Sequence, residues 1–289
     1  MVTTQSRSIE IQRESTNKFV SSPFANRLSE IESRLFKIFE AELNSPNSVL
    51  LSYKPQAIRK MAQFISGRVK RSASIGIAGE TASGKSTITL DIIETIEVFA
   101  SIFEAGRVIT RVNTDDYYYD RSEEVKKAGG IGEFAKNYDF DVPEALELNL
   151  MCEHIKELLD GNSVMLPKYD MSGTTIRVDN HTPAYPSKII ISEGLFTLTE
   201  DIRCAFDFKI YVDVDKEIQK ERFFARAKER GLGDGANAIY QNAYDKAEIY
   251  IRPCRNVADI VLSGEAKRSG YKLFLNKILL MIEDMYFKK

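Results

Sequence analysis

Apolar positions fall into two textures along the 289-residue chain, and the change comes at Ser74. Before it, "RLSEIESRLFKIFEAEL" places Leu28, Ile31, Leu35, Ile38 and Phe39 at helical spacing. "NSPNS" breaks that helix, and "KPQAIRKMAQFISGRVKR" carries a second helical pattern. Residues 1 to about 22, rich in Ser, Thr, Gln and Arg, read as a flexible arm. Together these pieces predict an N-terminal helical extension over 1–70, packed on the core or on a partner. From Ser74 onward short apolar runs alternate with helical ones. "SIGIA", "RVITRVNTDDYYYD", "KIIISEGLF", "FKIYVDVD" and "ADIVLSGE" each hold a strand. "KSTITLDIIETIEVFASIF", "EALELNLMCEHIKELLDG", "KEIQKERFFARAKERG" and "GYKLFLNKILLMIEDMYF" have helical period. That alternation predicts an α/β domain over 71–289, a three-layer sandwich with a five-stranded parallel core and helices on both faces.

Composition narrows the function. Lys and Arg number 40 against 42 Asp and Glu, for a net charge of −2. The balance removes any global reason to expect nucleic acid or an anionic membrane as partner. Cys152, Cys204 and Cys254 have neither metal-ligand spacing nor a disulfide framework, which points to a reducing, cytoplasmic setting. No apolar run approaches the ~20 residues of a membrane span. The polar N-terminus lacks the apolar stretch of a signal peptide.

The candidate chemistry starts at "GIAGETASGKST". Gly79, Gly84, Lys85 and Ser86 fit G-x-x-x-x-G-K-[ST], between a strand and a helix as a phosphate cradle requires. Glycines let backbone amides turn toward phosphate oxygens, and the helix N-terminus adds positive potential. The ATP site is expected over Gly79, Glu80, Thr81, Ala82, Ser83, Gly84, Lys85, Ser86 and Thr87, with Lys85 on the phosphates and Ser86 on Mg²⁺. Ligands on such sheets bind beyond the carboxyl ends of the strands. Asp115 and Asp116 follow one strand directly, and either could take a proton from an attacking hydroxyl or hold the metal's water shell. Glu193 ends a fully apolar strand, a costly place for a carboxylate that serves neither a metal nor a hydrogen-bond network. Ser86, Asp115 and Glu193 are therefore the candidate metal residues.

At these residues the chain resembles the uridine kinase and phosphoribulokinase group of P-loop kinases. The likeness runs from about Ser74 to Glu265. "GETASGKST" looks like that family's phosphate loop, and "TDDYYYD" like its Asp-x-aromatic-Tyr segment. "YDFDVPEALELNLMCEHIKELLDGNSVMLPKYD", "IIISEGLF", "YVDVDKEIQKERFFARAKERG" and "IRPCRNVADIVLSGE" are similar to its later motifs, in family order. The resemblance implies Asp115 as catalytic base, with Tyr118 beside the acceptor. It implies Phe140 and Asp141 against a nucleoside, Asp141 on the ribose hydroxyls and Tyr169 against the base. It implies a substrate hairpin around 165–188 and a helical lid around 216–235 that brings Arg222 and Arg230 onto the phosphates. Mobile arginines there would neutralise charge on the equatorial oxygens during transfer.

Three positions depart from the family pattern. Thr174 stands where uridine kinases carry a His that reads the pyrimidine; the nearest His, His181, is seven residues further on. Ala225 stands where the lid has an Arg, and Arg226 follows it, turned ~100° on a helix. Leu232 replaces another family Arg. Thr174 and Arg226 are kept as candidate substrate contacts. The expected activity is a kinase that uses ATP and Mg²⁺ on a primary hydroxyl, the 5′ position of uridine or cytidine first. The alternatives are another acceptor, such as a sugar phosphate, a pantothenate-like acid or a specialised metabolite, and a regulatory ATP-binding module. A homo-oligomer is compatible with the chain.

Overall fold

Strands buried on both faces read as near-continuous apolar runs, because each pleat sends alternate side chains to opposite sides. The computed structural model, which describes residues 23–229 and 233–287, has this arrangement. In chain order the elements are α1 (Pro23–Leu43), β1 (Leu50–Tyr53), α2 (Pro55–Ile65), β2 (Ala73–Gly79), α3 (Lys85–Ile102), β3 (Ile109–Asn113), α4 (Ser122–Ala128), α5 (Ile131–Phe134), α6 (Leu148–Leu159), β4 (Val164–Tyr169), β5 (Arg177–Ala184), β6 (Ile189–Glu193), β7 (Phe208–Asp213), α7 (Lys216–Glu229), α8 (Ala236–Lys246), α9 (Cys254–Val257), β8 (Ile260–Ser263) and α10 (Arg268–Tyr286). A six-stranded sheet runs β1-β8-β7-β2-β6-β3, and a separate hairpin pairs β4 with β5.

The five strands expected from the sequence are parallel. Ile77, Ile191, Ile210 and Val212 face one layer, with Ile88 of α3 and Phe274 and Ile278 of α10. Their neighbours Ala78, Ile190 and Tyr211 face the other layer, with Met151, Ile155 and Leu158 of α6. These are the outer layers of the sandwich.

β1 was not expected. It pairs antiparallel with β8, Leu50 opposite Leu262 and Tyr53 opposite Ile260. Four residues are too few to show a period, so nothing local marks Leu50–Tyr53 as a strand. It adds to the sheet edge as its one antiparallel strand among the described residues. Ile31, Leu35 and Phe39 of α1 share one apolar cluster with the sheet residues Ile77, Ile191 and Ile210. The Phe39 ring meets Phe274 edge-on at 5.0 Å. Lys277 pairs with the buried Glu42 at 2.9 Å. The second helical pattern stops earlier than its apolar spacing suggested: α2 ends at Ile65 and Gly67 follows at φ +72. Arg71 then turns to a bidentate pair with Asp207, at 2.7 and 2.6 Å.

Candidate active site

β2 ends at Gly79 and α3 begins at Lys85, so the glycine loop lies at a helix N-terminus. Gly84 has φ +95, a conformation open to glycine and costly for other residues. Two residues outside the expected set hold the loop. Arg252 makes a bidentate pair with Glu80, at 2.8 and 3.0 Å. Gln219 of α7, almost fully buried, donates to the Thr81 carbonyl at 2.9 Å and accepts from Tyr240 at 3.2 Å. The Ser83 hydroxyl is buried without a hydrogen-bond partner among the described residues.

The strand-end carboxylates separate clearly. Asp115 and Asp116 share the 3₁₀ turn Thr114–Tyr117 after β3. Asp116 is tied to the hairpin: it accepts from Lys168 at 3.0 Å and from the Tyr169 backbone amide at 3.3 Å. Asp115 has no hydrogen bond among the described residues and lines the main cavity. Burial pushes its carboxyl above the usual range; Lys85 opposes that shift, while Glu193 and Asp116 add to it. Burial pushes the Lys85 ammonium down, against the pull of Glu193 and Asp115. Glu193 is buried behind the loop. It accepts from Ser86 at 3.1 Å and pairs with Arg111 at 2.7 Å. Gly194 allows this strand end to approach the turn, since a Cβ there would sit 2.5 Å from the Thr114 Cβ.

The cavity, about 660 Å³, opens at the carboxyl ends of the strands. Thr81, Lys85, Ser86, Asp115, Tyr118, Phe140, Asp141, Tyr169 and Arg226 all line it, so the expected acceptor residues other than Thr174 meet the loop lysine there. Tyr118 and Tyr169 lie 5.3 Å apart, and the Tyr118 hydroxyl donates to the Phe140 carbonyl at 3.1 Å. Asn242 of α8 bridges Asp139 and Asp141, at 3.1 and 3.2 Å, and Lys246 pairs with Asp139 at 2.8 Å. Burial pushes the Asp141 carboxyl up, with the Asn242 contact opposing it.

Some expected residues sit elsewhere. Thr174 is exposed; its hydroxyl donates to Asp170 at 2.5 Å, and the hairpin turn presents Gly173 and Thr175 to the cavity instead. Arg222 does not line the cavity. It stands over the loop near Gly84 and donates to the Gly264 carbonyl at 2.9 Å. Arg230 and Leu232 lie outside the described residues. Arg111, Gln219, Asn242 and Arg252 were missed. Each acts on a group far away in sequence; Arg111, Gln219 and Arg252 lie inside quoted segments, but nothing local marks the partner each one meets.

Parallel sheet, glycine turn and a cavity with a carboxylate beside the loop lysine define a P-loop phosphotransferase whose acceptor is a hydroxyl group. Within that class the chain belongs to the Phosphoribulokinase / Uridine kinase family, whose model matches residues 74–268. It is 31% identical to a uridine kinase of Staphylococcus haemolyticus, over 72% of this chain and 96% of that one. It is 29% identical to uridine-cytidine kinase A of Dictyostelium discoideum, over 76% of this chain and 42% of that longer protein. In fold it resembles a putative fructose transport system kinase from Silicibacter sp. TM1040, with a TM-score of 0.50, 18% identity, and coverage of 70% of this chain and 95% of that one. Among the described residues no helix is long and apolar enough to cross a membrane.

Proposed function

We propose that the chain is an ATP- and Mg²⁺-dependent kinase that phosphorylates the primary 5′-hydroxyl of an uncharged nucleoside, uridine or cytidine. One observation carries the choice of acceptor. The only cationic side chains lining the cavity among the described residues are Lys85 and Arg226, and Arg226 lies near Lys85 at the loop. The far end holds Asp139, Asp141 and Asp170 among aromatic rings. Carboxylates there suit sugar hydroxyls and would repel the phosphate of a sugar phosphate.

In the proposed reaction the Asp115 carboxylate takes the proton of the acceptor hydroxyl. That oxygen bonds to the γ-phosphorus as the bridging P–O bond breaks and ADP departs. Lys85, Arg222 and Arg230 neutralise the phosphates, while Tyr118, Phe140, Asp141 and Tyr169 hold the acceptor. Mg²⁺ supplies charge neutralisation on the phosphates when bound. The donor set fits it: Ser86 offers a hydroxyl beside the Glu193 carboxylate. Mg²⁺ keeps several waters and phosphate oxygens, so one hydroxyl with a nearby carboxylate suffices. Three free thiols support a cytoplasmic setting.

The displaced Thr174 supports a second reading within the family, an uncharged polyol other than a pyrimidine nucleoside. A coupled ADP-release assay separates these. Uridine or cytidine should stimulate ADP formation strongly, and ribulose 5-phosphate should not. A response to ribulose 5-phosphate would refute the uncharged acceptor. Slow ADP release indifferent to every nucleoside, pantothenate and glycerate would favour a regulatory module.

A further inference from the structure

A second cavity, about 440 Å³, lies at the opposite edge of the sheet, where β2 and β7 begin. Its walls are Arg71 and Ser74, the α6 face that carries Cys152 and Lys156, and the 204–207 segment leading into β7. Two of the chain's three cysteines meet here, although they stand 52 positions apart in sequence. Cys152 is half-buried on α6, and Cys204 is exposed in the 3₁₀ turn Arg203–Ala205 that packs on α6. Burial pushes the Cys152 thiol up, and the nearby Cys204 sulfur adds to the shift, as expected of neighbouring thiols. The third cysteine, Cys254, is buried on α9 and donates to the Tyr250 carbonyl at 3.2 Å. Phosphoryl transfer uses none of these groups.

We propose that Cys152 and Cys204 form an exchange-competent thiol pair that closes into an intramolecular disulfide by reaction with a small-molecule disulfide entering this cavity. Cys204 is the entry point because it is the exposed thiol. Its thiolate attacks one sulfur of the reagent, the reagent's S–S bond breaks, and one reagent thiolate leaves and takes up a proton. The Cys152 thiolate then attacks the Cys204 sulfur of the mixed disulfide and displaces the second reagent thiolate. Two electrons and two protons pass from the protein to the reagent, giving one protein disulfide and two free reagent thiols.

The test uses the full reduced chain with excess oxidised glutathione near pH ~8, where exchange is fast. Intact mass and an unreduced peptide map are the readouts. Wild type should become lighter by about 2 Da and yield a peptide joining Cys152 to Cys204, reversed by a reducing thiol. Cys152→Ser should stop at a stable glutathione adduct on Cys204, about 305 Da heavier. Cys254→Ala should behave as wild type. The proposal is overturned if wild type keeps the glutathione adduct without closing, if both thiols stay free to alkylate, or if the cross-link contains Cys254.

Discussion

Asp115 is under two opposed demands. As the proposed base it must be ionised, yet burial in the cavity wall penalises its charge. Asp115→Asn should lower turnover by about 10²–10⁴-fold in steady-state kinetics while ATP binding persists. With Asp115 intact, kcat/KM should fall on the acid side at a pH above the usual carboxylate range, because the raised group protonates early. The stability effect runs the other way. A carboxyl raised by folding contributes stability that is complete below its unfolded pKa and is lost as pH rises through the folded value. Asp115→Asn should therefore melt a few degrees higher than wild type at neutral pH, with the gain vanishing in acid. A variant that melts lower at neutral pH would mean the attraction of Lys85 outweighs burial. Sequence alone left Asp115 and Asp116 as alternatives, since adjacent carboxylates look alike. Packing of β4 on the 3₁₀ turn gives Asp116 to Lys168 and Tyr169 and leaves Asp115 to the cavity.

At the element scale α7, the proposed lid helix, and the hairpin carry the question of specificity. α7 is charged along most of its length, and no apolar stripe marks an inner face. Its inner face is set by Gln219, which reaches the loop carbonyl of Thr81. Gln219→Leu removes that bond and leaves the Tyr240 hydroxyl without its partner. Losing one such buried contact costs about 1–2 kcal/mol, so KM for ATP should rise roughly 10-fold with kcat changed less. An unchanged KM would mean α7 does not position the loop. On the hairpin, Thr174 gives its hydroxyl to Asp170 and its neighbour Thr175, at φ +57, reaches the cavity. Thr174→Val should leave the acceptor KM within about 2-fold, since the lost bond acts on the turn. A large rise confined to the acceptor would put Thr174 back at the site. Counting residues from the tyrosine located the turn, but the direction of each side chain depends on backbone φ at its tip.

For the whole molecule, the telling element is the N-terminal extension. Its helical period was plain from Leu28 to Phe39, yet period does not say what the apolar stripe faces. Here α1 lies in the same cluster as α10 and the sheet, and β1 lengthens the sheet beyond β8. Phe39→Ala should cost about 3–5 kcal/mol of global stability in urea denaturation, with a single transition. A separate early transition would show that the extension unfolds on its own. The sequence by itself determined what local physics governs: strands and helices from their periods, the phosphate loop from its glycines, and the carboxylates that follow the strands. Tertiary structure alone decided which distant groups meet: Arg252 on Glu80, Asn242 on Asp141, Arg111 on Glu193, and β1 on β8. Those pairings join residues up to 212 positions apart, as Leu50 and Leu262 do at the sheet edge (262 − 50 = 212). No window of neighbouring residues encodes such a contact, because it exists only once the layers have packed.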